Sequence, residues 1–287
     1  MTVNDSQAWQ PFSSRNAGQP IDLSWHEDVP KSLEHPLREW LDRQYLLNPG
    51  IRQQVAARLR YVPTEKYWYH DNMCGVPTEE LLDWIDATLH VRTDGQHFDF
   101  GDLLGDQVKL VDAVLRDGRS VWKVSEAGNS LERRQDPVVT RAVREAYQNA
   151  AAANRNAAAA HLQVAWDAAY RFHPDPSTAY REAILAVEAA AIPVVVPTQA
   201  GATLGHVLGQ LSKQGHLYAL AIRDKSGVSI PVTAVALMIG LLWEGHTDRH
   251  EGVTPAIPIT PEAAQMASTL AVALVQLFTT GAIQRRR

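Results

Sequence analysis

The segment Glu244-Gly245-His246-Thr247-Asp248-Arg249-His250-Glu251-Gly252 concentrates side chains that handle protons and anions. Arg249 can make paired hydrogen bonds to phosphate oxygens and keeps its charge at physiological pH, while His246 or His250 exchanges a proton near neutrality. A ribose hydroxyl attacking its adjacent phosphate needs these capabilities: a base for the proton, an acid for the leaving oxygen, a cation for the charged transition state. The same residues admit two other readings. His246 and His250 are four apart and would share one face of a continued helix, but a zinc site needs three or four convergent ligands. Glu244 and Asp248, also four apart, lie on a different side of that helix, and the whole set could serve as ordinary polar contacts at a helix end.

Glu188 is a second clue, because it interrupts the apolar run formed by Ile184-Leu185-Ala186-Val187 and Ala189-Ala190-Ala191. A buried carboxylate is costly unless paired, which makes Arg249, Arg181 or a histidine its expected partner; an exposed position or a purely structural ion pair is the plainer reading. Tyr180 reads first as core and Arg181 first as solvated surface, with a site role as the alternative for both. Gly201, Gly205 and Gly209 make a small-residue strip, expected to be a close-packing surface, since no strand-to-helix turn is present to form a phosphate loop. Tyr67-Trp68-Tyr69-His70 could stack on bases, yet packing is the preferred reading because the surrounding charge is acidic.

The elements that must position these residues follow from periodicity. Helical spacing runs from Leu37 to Leu47, is stopped by Pro49-Gly50, and resumes from Ile51 to Leu59. Pro77-Thr78-Glu79-Glu80 opens another helix carrying Leu81, Leu82, Trp84, Ile85 and Leu89, with early acidic residues suited to the positive end of its dipole. Asp102 to Leu115 is helical, with Leu103, Leu104, Val108, Leu110, Val111, Val114 and Leu115 assigned to its buried side. Ser120 to Val124 and Ser130 to Arg133 then flank Gly128-Asn129 as a short hairpin.

Asp136-Pro137 is a helix start, with Asp136 accepting from orphan amides and Pro137 losing no amide proton at the first position. The Ala-rich stretch from Pro137 to Phe172 predicts a long helix, with a bend between Asn149 and Asn156. Further helices are predicted over 176–192, from Thr203 to Ser212, over 232–246 and over 261–280. Residues 1–34 show no sustained period and read as a flexible or irregular arm; 35–135 form a small, mostly helical domain with the hairpin, and 136–287 a helical bundle. The fold class is therefore mainly α.

Charge is divided unevenly. Residues 1–135 carry 15 Lys or Arg against 21 Asp or Glu, whereas residues 136–287 carry 12 against 11. Neither half is broadly basic, which argues against a general nucleic-acid-coating domain and leaves room for a local positive site. The single cysteine, Cys74, excludes an intramolecular disulfide framework and makes no metal pattern with His70. The longest apolar stretches, Ala183 to Val196 and Val232 to Trp243, are too short for a membrane span, and no basic-then-apolar leader is present. The expected location is the cytoplasm, with no membrane partner. Arg285-Arg286-Arg287 read as solvated charges at a frayed end.

Three stretches together resemble bacterial abortive-infection proteins with a carboxy-terminal HEPN domain: Ala179 through Glu188, Ala202-Thr203-Leu204-Gly205, and Leu241 through Gly252. The resemblance covers about residues 137–283. A weaker one, to the amino-terminal domain of the AbiJ type, rests on Ser120-Val121-Trp122-Lys123-Val124 and Leu131-Glu132-Arg133-Arg134. The HEPN resemblance implies a HEPN-like helical bundle that homodimerises, acts on RNA or binds a nucleotide, and in many members is a metal-independent endoribonuclease of phage defence needing no cofactor. The motif histidine of that family carries over to His250, whereas its arginine meets Gly245, Glu244 or Trp243 at the matching positions.

On these grounds His250 and Arg249 are the expected catalytic pair. Glu188, Arg181, Tyr180, His246, Asp248 and Glu244 are the expected supporting or binding residues. The alternative implied by the same resemblance is a non-catalytic dimerisation, nucleotide-binding or toxin-antitoxin interaction module with a cognate defence or antitoxin partner.

Overall fold

The computed structural model describes residues 24–62, 76–94, 102–245 and 258–286. It is mainly helical, with ten α-helices and two small two-stranded sheets among the described residues. No helix among the described residues is long and apolar enough to cross a membrane. The chain divides at Arg134 and Gln135 into two compact units.

The first unit contains α1 (Lys31–Leu47), α2 (Pro49–Arg58), α3 (Leu81–Asp94), α4 (Asp102–Asp117), β1 (Trp122–Val124) and β2 (Leu131–Arg133). Asn48 makes the corner between α1 and α2: its side chain accepts from the Gly50 amide at 3.1 Å, and Pro49 fills the first helical position without an amide to lose. Leu33, Leu37, Trp40 and Leu41 recur at helical spacing on α1, and Leu81, Trp84, Ile85 and Leu89 do so on α3; all are buried. On α4, Val111 and Leu115 face inward, while Leu110 is exposed. That corrects its assignment to the buried side, because Leu110 stands about 100° around the helix from Val111.

Two carboxylates hold the hairpin to its helices. Asp86 accepts from the Leu131 amide at 2.6 Å and Asp112 accepts from the Val124 amide at 3.1 Å. The strands pair antiparallel, Lys123 opposite Glu132, and Gly128 takes the positive φ of the turn. The cluster Glu132-Arg133-Arg134 is spent within this unit, on Lys123, Glu27 and Asp112 respectively.

The second unit is built from α5 (Pro137–Ala152), α6 (Asn156–Tyr170), α7 (Pro176–Val195), α8 (Leu204–Gln214), β3 (Tyr218–Leu220), α9 (Thr233–Glu244), α10 (Pro261–Thr279) and β4 (Ile283–Arg285). The stretch expected as one long helix with a bend between Asn149 and Asn156 is two helices, separated within that bend. The break falls at Asn154, which adopts the left-handed conformation with φ 56°, one that asparagine tolerates better than most residues. At its start Asp136 accepts from the Val138 amide at 2.8 Å.

Helix α7 is the centre of this unit, packed against α6 and α10, with α5 against α6 and α10, α8 against α7, and α9 against α8. Its buried face is mostly alanine: Ala179, Ala183, Ala186, Ala190 and Ala191, opposite Ala158, Ala165 and Ala169 of α6 and Ala264, Ala267 and Ala271 of α10. Small side chains let helix backbones approach closely, and they lose no rotamer freedom on burial. Ser268 donates to the Ala165 carbonyl at 3.3 Å, satisfying the buried hydroxyl.

The pairing of β3 with β4 has no counterpart in the sequence-based expectation, which left the chain end frayed. Tyr218 lies opposite Arg285 and Leu220 opposite Ile283. Arg286 is held as well, its amide donating to the Leu217 carbonyl at 2.7 Å and its Nε to the Tyr218 carbonyl at 3.1 Å. Ile283 is buried in the core, which is what draws the segment onto the bundle.

Candidate functional site

Helix α7 begins where Asp175 accepts from the Thr178 amide at 3.0 Å and Pro176 occupies the first position. The bonds from Thr178 hold the Asp175 carboxyl below its usual range. One turn later come Tyr180, Arg181 and Glu182, turned about 100° apart by the helix. Tyr180 points to the end of α9, Arg181 to solvent and Glu182 to α6.

Tyr180 is buried, and its hydroxyl donates to the Leu241 carbonyl at 3.3 Å. Burial pushes the phenol above its ordinary pKa, so it stays protonated and serves as a donor. Gly245 closes α9, and a β-carbon there would overlap the Tyr180 hydroxyl and lie 3.0 Å from the Leu241 carbonyl. Glycine is therefore required for the phenol to reach the helix end. This contact fixes the exit of α9, from which the polar segment of residues 246–252 departs.

Glu182 engages both of its oxygens. Oε2 lies 2.7 Å from Nδ1 of His161 on α6, and Oε1 accepts from Nε and Nη2 of Arg181, each at 3.3 Å. A carboxylate has no proton to give, so Nδ1 is the donor and the neutral imidazole keeps its lone pair on Nε2. The result is an imidazole and a guanidinium oriented by one carboxylate.

Glu188, two turns farther along α7, is half-buried and accepts from the Leu204 amide at 2.6 Å. It caps the first turn of α8, where a negative charge meets the positive end of the helix dipole. Burial raises its carboxyl above the usual range, opposed by the Leu204 bond and, when the ring carries a proton on both nitrogens, by His161. Among the described residues the hydrogen-bond partner of Glu188 is thus a backbone amide, with His161 acting on it through space; Arg249 lies outside the described residues. The same turn is closed by His206, whose Nδ1 accepts from the Thr203 amide at 3.1 Å.

Of the glycine strip, only Gly205 is a tight-packing position: a β-carbon there would stand 2.7 Å from the Trp243 ring. Gly209 and Gly201 meet nothing within 4 Å, so the strip is not one continuous packing surface.

The structure places the sequence-derived residues as follows. Tyr180 and Arg181 stand together at the start of α7, Glu188 sits apart at the α8 cap, and Glu244 is exposed in the last turn of α9. His246, Asp248, Arg249 and His250 lie outside the described residues, as do Tyr67 to His70 and Cys74. Partners on separate helices leave no spacing signal, so the sequence does not reveal Glu182 and His161 as a pair; the nearest hint is a histidine in an Ala-rich helix. Among the described residues no group of three or more His, Cys, Asp or Glu could hold a metal ion. No family model, curated protein or solved structure matches this chain.

Proposed function

We propose that the second unit works as a phage-defence ribonuclease module that cleaves RNA by acid-base chemistry without a metal, with Arg249 contacting phosphate and His250 transferring a proton. The observation that supports this reading is the anchoring of the α9 exit by Tyr180. That contact sets the last described turn of α9, just before the polar segment, against Tyr180 in the turn of α7 that also carries Arg181 and Glu182. Glu188 has a different part in the proposal from the one its sequence position suggested: it secures α8 and does not orient a catalytic group. Full-length protein incubated with a broad RNA panel in EDTA is expected to leave 2′,3′-cyclic phosphate ends, and His250→Ala to abolish them. Intact RNA across the panel would sink the reading.

A second reading, a non-catalytic homodimerisation or antitoxin-type interaction module, draws on α9. Leu237 and Leu241, one turn apart, are 68% and 58% exposed, and an apolar helix face in water favours a partner. Light scattering of the protein and its Leu237→Lys variant separates the readings. A dimer lost on substitution, with RNA untouched by the wild type, favours the module.

A further inference from the structure

We propose that His161 is the proton-accepting residue of the ribonuclease site, that Glu182 is its positioning residue, and that Arg181 contacts the phosphate. This rests on the reading that the unit cleaves RNA, and it assigns that reaction residues beyond the Arg249 and His250 pair.

The geometry carries the assignment. The His161 side chain is 36% exposed, open to a substrate, whereas that of Glu182 is 13% exposed. A carboxylate that is mostly buried and faces Nδ1 at 2.7 Å fixes both the ring orientation and the tautomer, leaving the lone pair on Nε2 as the base. The same carboxylate stabilises the imidazolium that forms when Nε2 takes a proton. Its other oxygen steadies Arg181, whose guanidinium stays exposed with donors to spare for a phosphate. Base and cation are thus separated by a single carboxyl group, a span that one phosphodiester and its adjoining ribose can bridge.

In the step, His161 Nε2 accepts the proton of the ribose 2′-hydroxyl and O2′ forms a bond to phosphorus. The bond from phosphorus to O5′ breaks, and O5′ takes a proton from a general acid, which draws its own from solvent water. The imidazolium proton then returns to the resulting hydroxide. The net change moves one proton from O2′ to O5′ and leaves a cyclic phosphate and a 5′-hydroxyl.

The test compares full-length wild type with His161→Asn, Glu182→Gln, Glu182→Asp and Arg181→Gln on one cleavable RNA in EDTA, with circular dichroism confirming that each is folded. His161→Asn is expected to lower kcat by about 10²- to 10⁴-fold, the usual contribution of a positioned base. Glu182→Gln should lower kcat with little change in KM, Glu182→Asp should recover part of it, and Arg181→Gln should mainly raise KM. Ring nitrogen NMR should show the Nδ1-protonated tautomer of His161 in wild type and its loss in Glu182→Gln. Full activity in folded His161→Asn overturns this inference and leaves the ribonuclease reading standing, whereas RNA left intact by wild type overturns both.

Discussion

The Glu188 carboxylate accepts the Leu204 amide proton at 2.6 Å, so a side chain from the central helix completes the first turn of its neighbour. Loss of that acceptor in Glu188→Ala leaves a helix-end amide without its partner and should cost about 0.5–2 kcal/mol. Glu188→Gln keeps an oxygen acceptor and should cost less. Urea unfolding of the two variants checks the order.

The same residue sets a pH trend. Burial raises the folded carboxyl above its unfolded value, so the folded state binds the extra proton. The stability this contributes is complete below the unfolded pKa and is lost as pH rises through the raised folded value. The denaturant midpoint of wild type should therefore fall, relative to Glu188→Gln, as pH climbs from the ordinary carboxylate range upward. Parallel midpoints for the two proteins would contradict the raised carboxyl.

Gly245 and Tyr180 should behave as a coupled pair. Gly245→Ala drives a methyl group into the phenol oxygen, an overpacking expected to cost about 1–3 kcal/mol. In a Tyr180→Phe background the oxygen is gone and the same substitution should be milder. A double-mutant cycle by thermal unfolding measures the coupling, and additive effects would contradict the contact.

Two glycines on α8 should respond in opposite directions. Gly209→Ala meets open space and gains helix propensity, stabilising by about 0.5–1 kcal/mol. Gly205→Ala strikes the Trp243 ring and should destabilise, with a shift in tryptophan fluorescence as its local signature.

Where the periodicity was strong, the sequence was a sound guide. Pro and Asp at helix starts, with apolar residues every three or four positions, locate α7 and α10 to within a few residues. What it could not show were effects of one extra backbone degree of freedom or of distant pairing. Alanine propensity runs through Asn154 and the sequence signals only a bend between Asn149 and Asn156, whereas one left-handed residue there splits the helix. Charge type flags Glu188 as needing a partner, but the Leu204 amide that fills this place carries no sequence signature. His161 and Glu182 belong to the same class, since twenty-one positions separate them and only packing brings them together.

The pairing of Leu220 with Ile283 has a consequence for biosynthesis. A strand that waits for a partner some sixty residues downstream spends roughly 3–12 s unpaired on a translating ribosome at ordinary elongation rates. During that interval Tyr218 to Leu220 offers open backbone donors and acceptors to other nascent chains. The shortness of β3, three residues, limits that hazard, and chaperone dependence of expression should rise if the strand is lengthened by apolar substitution of its flanks.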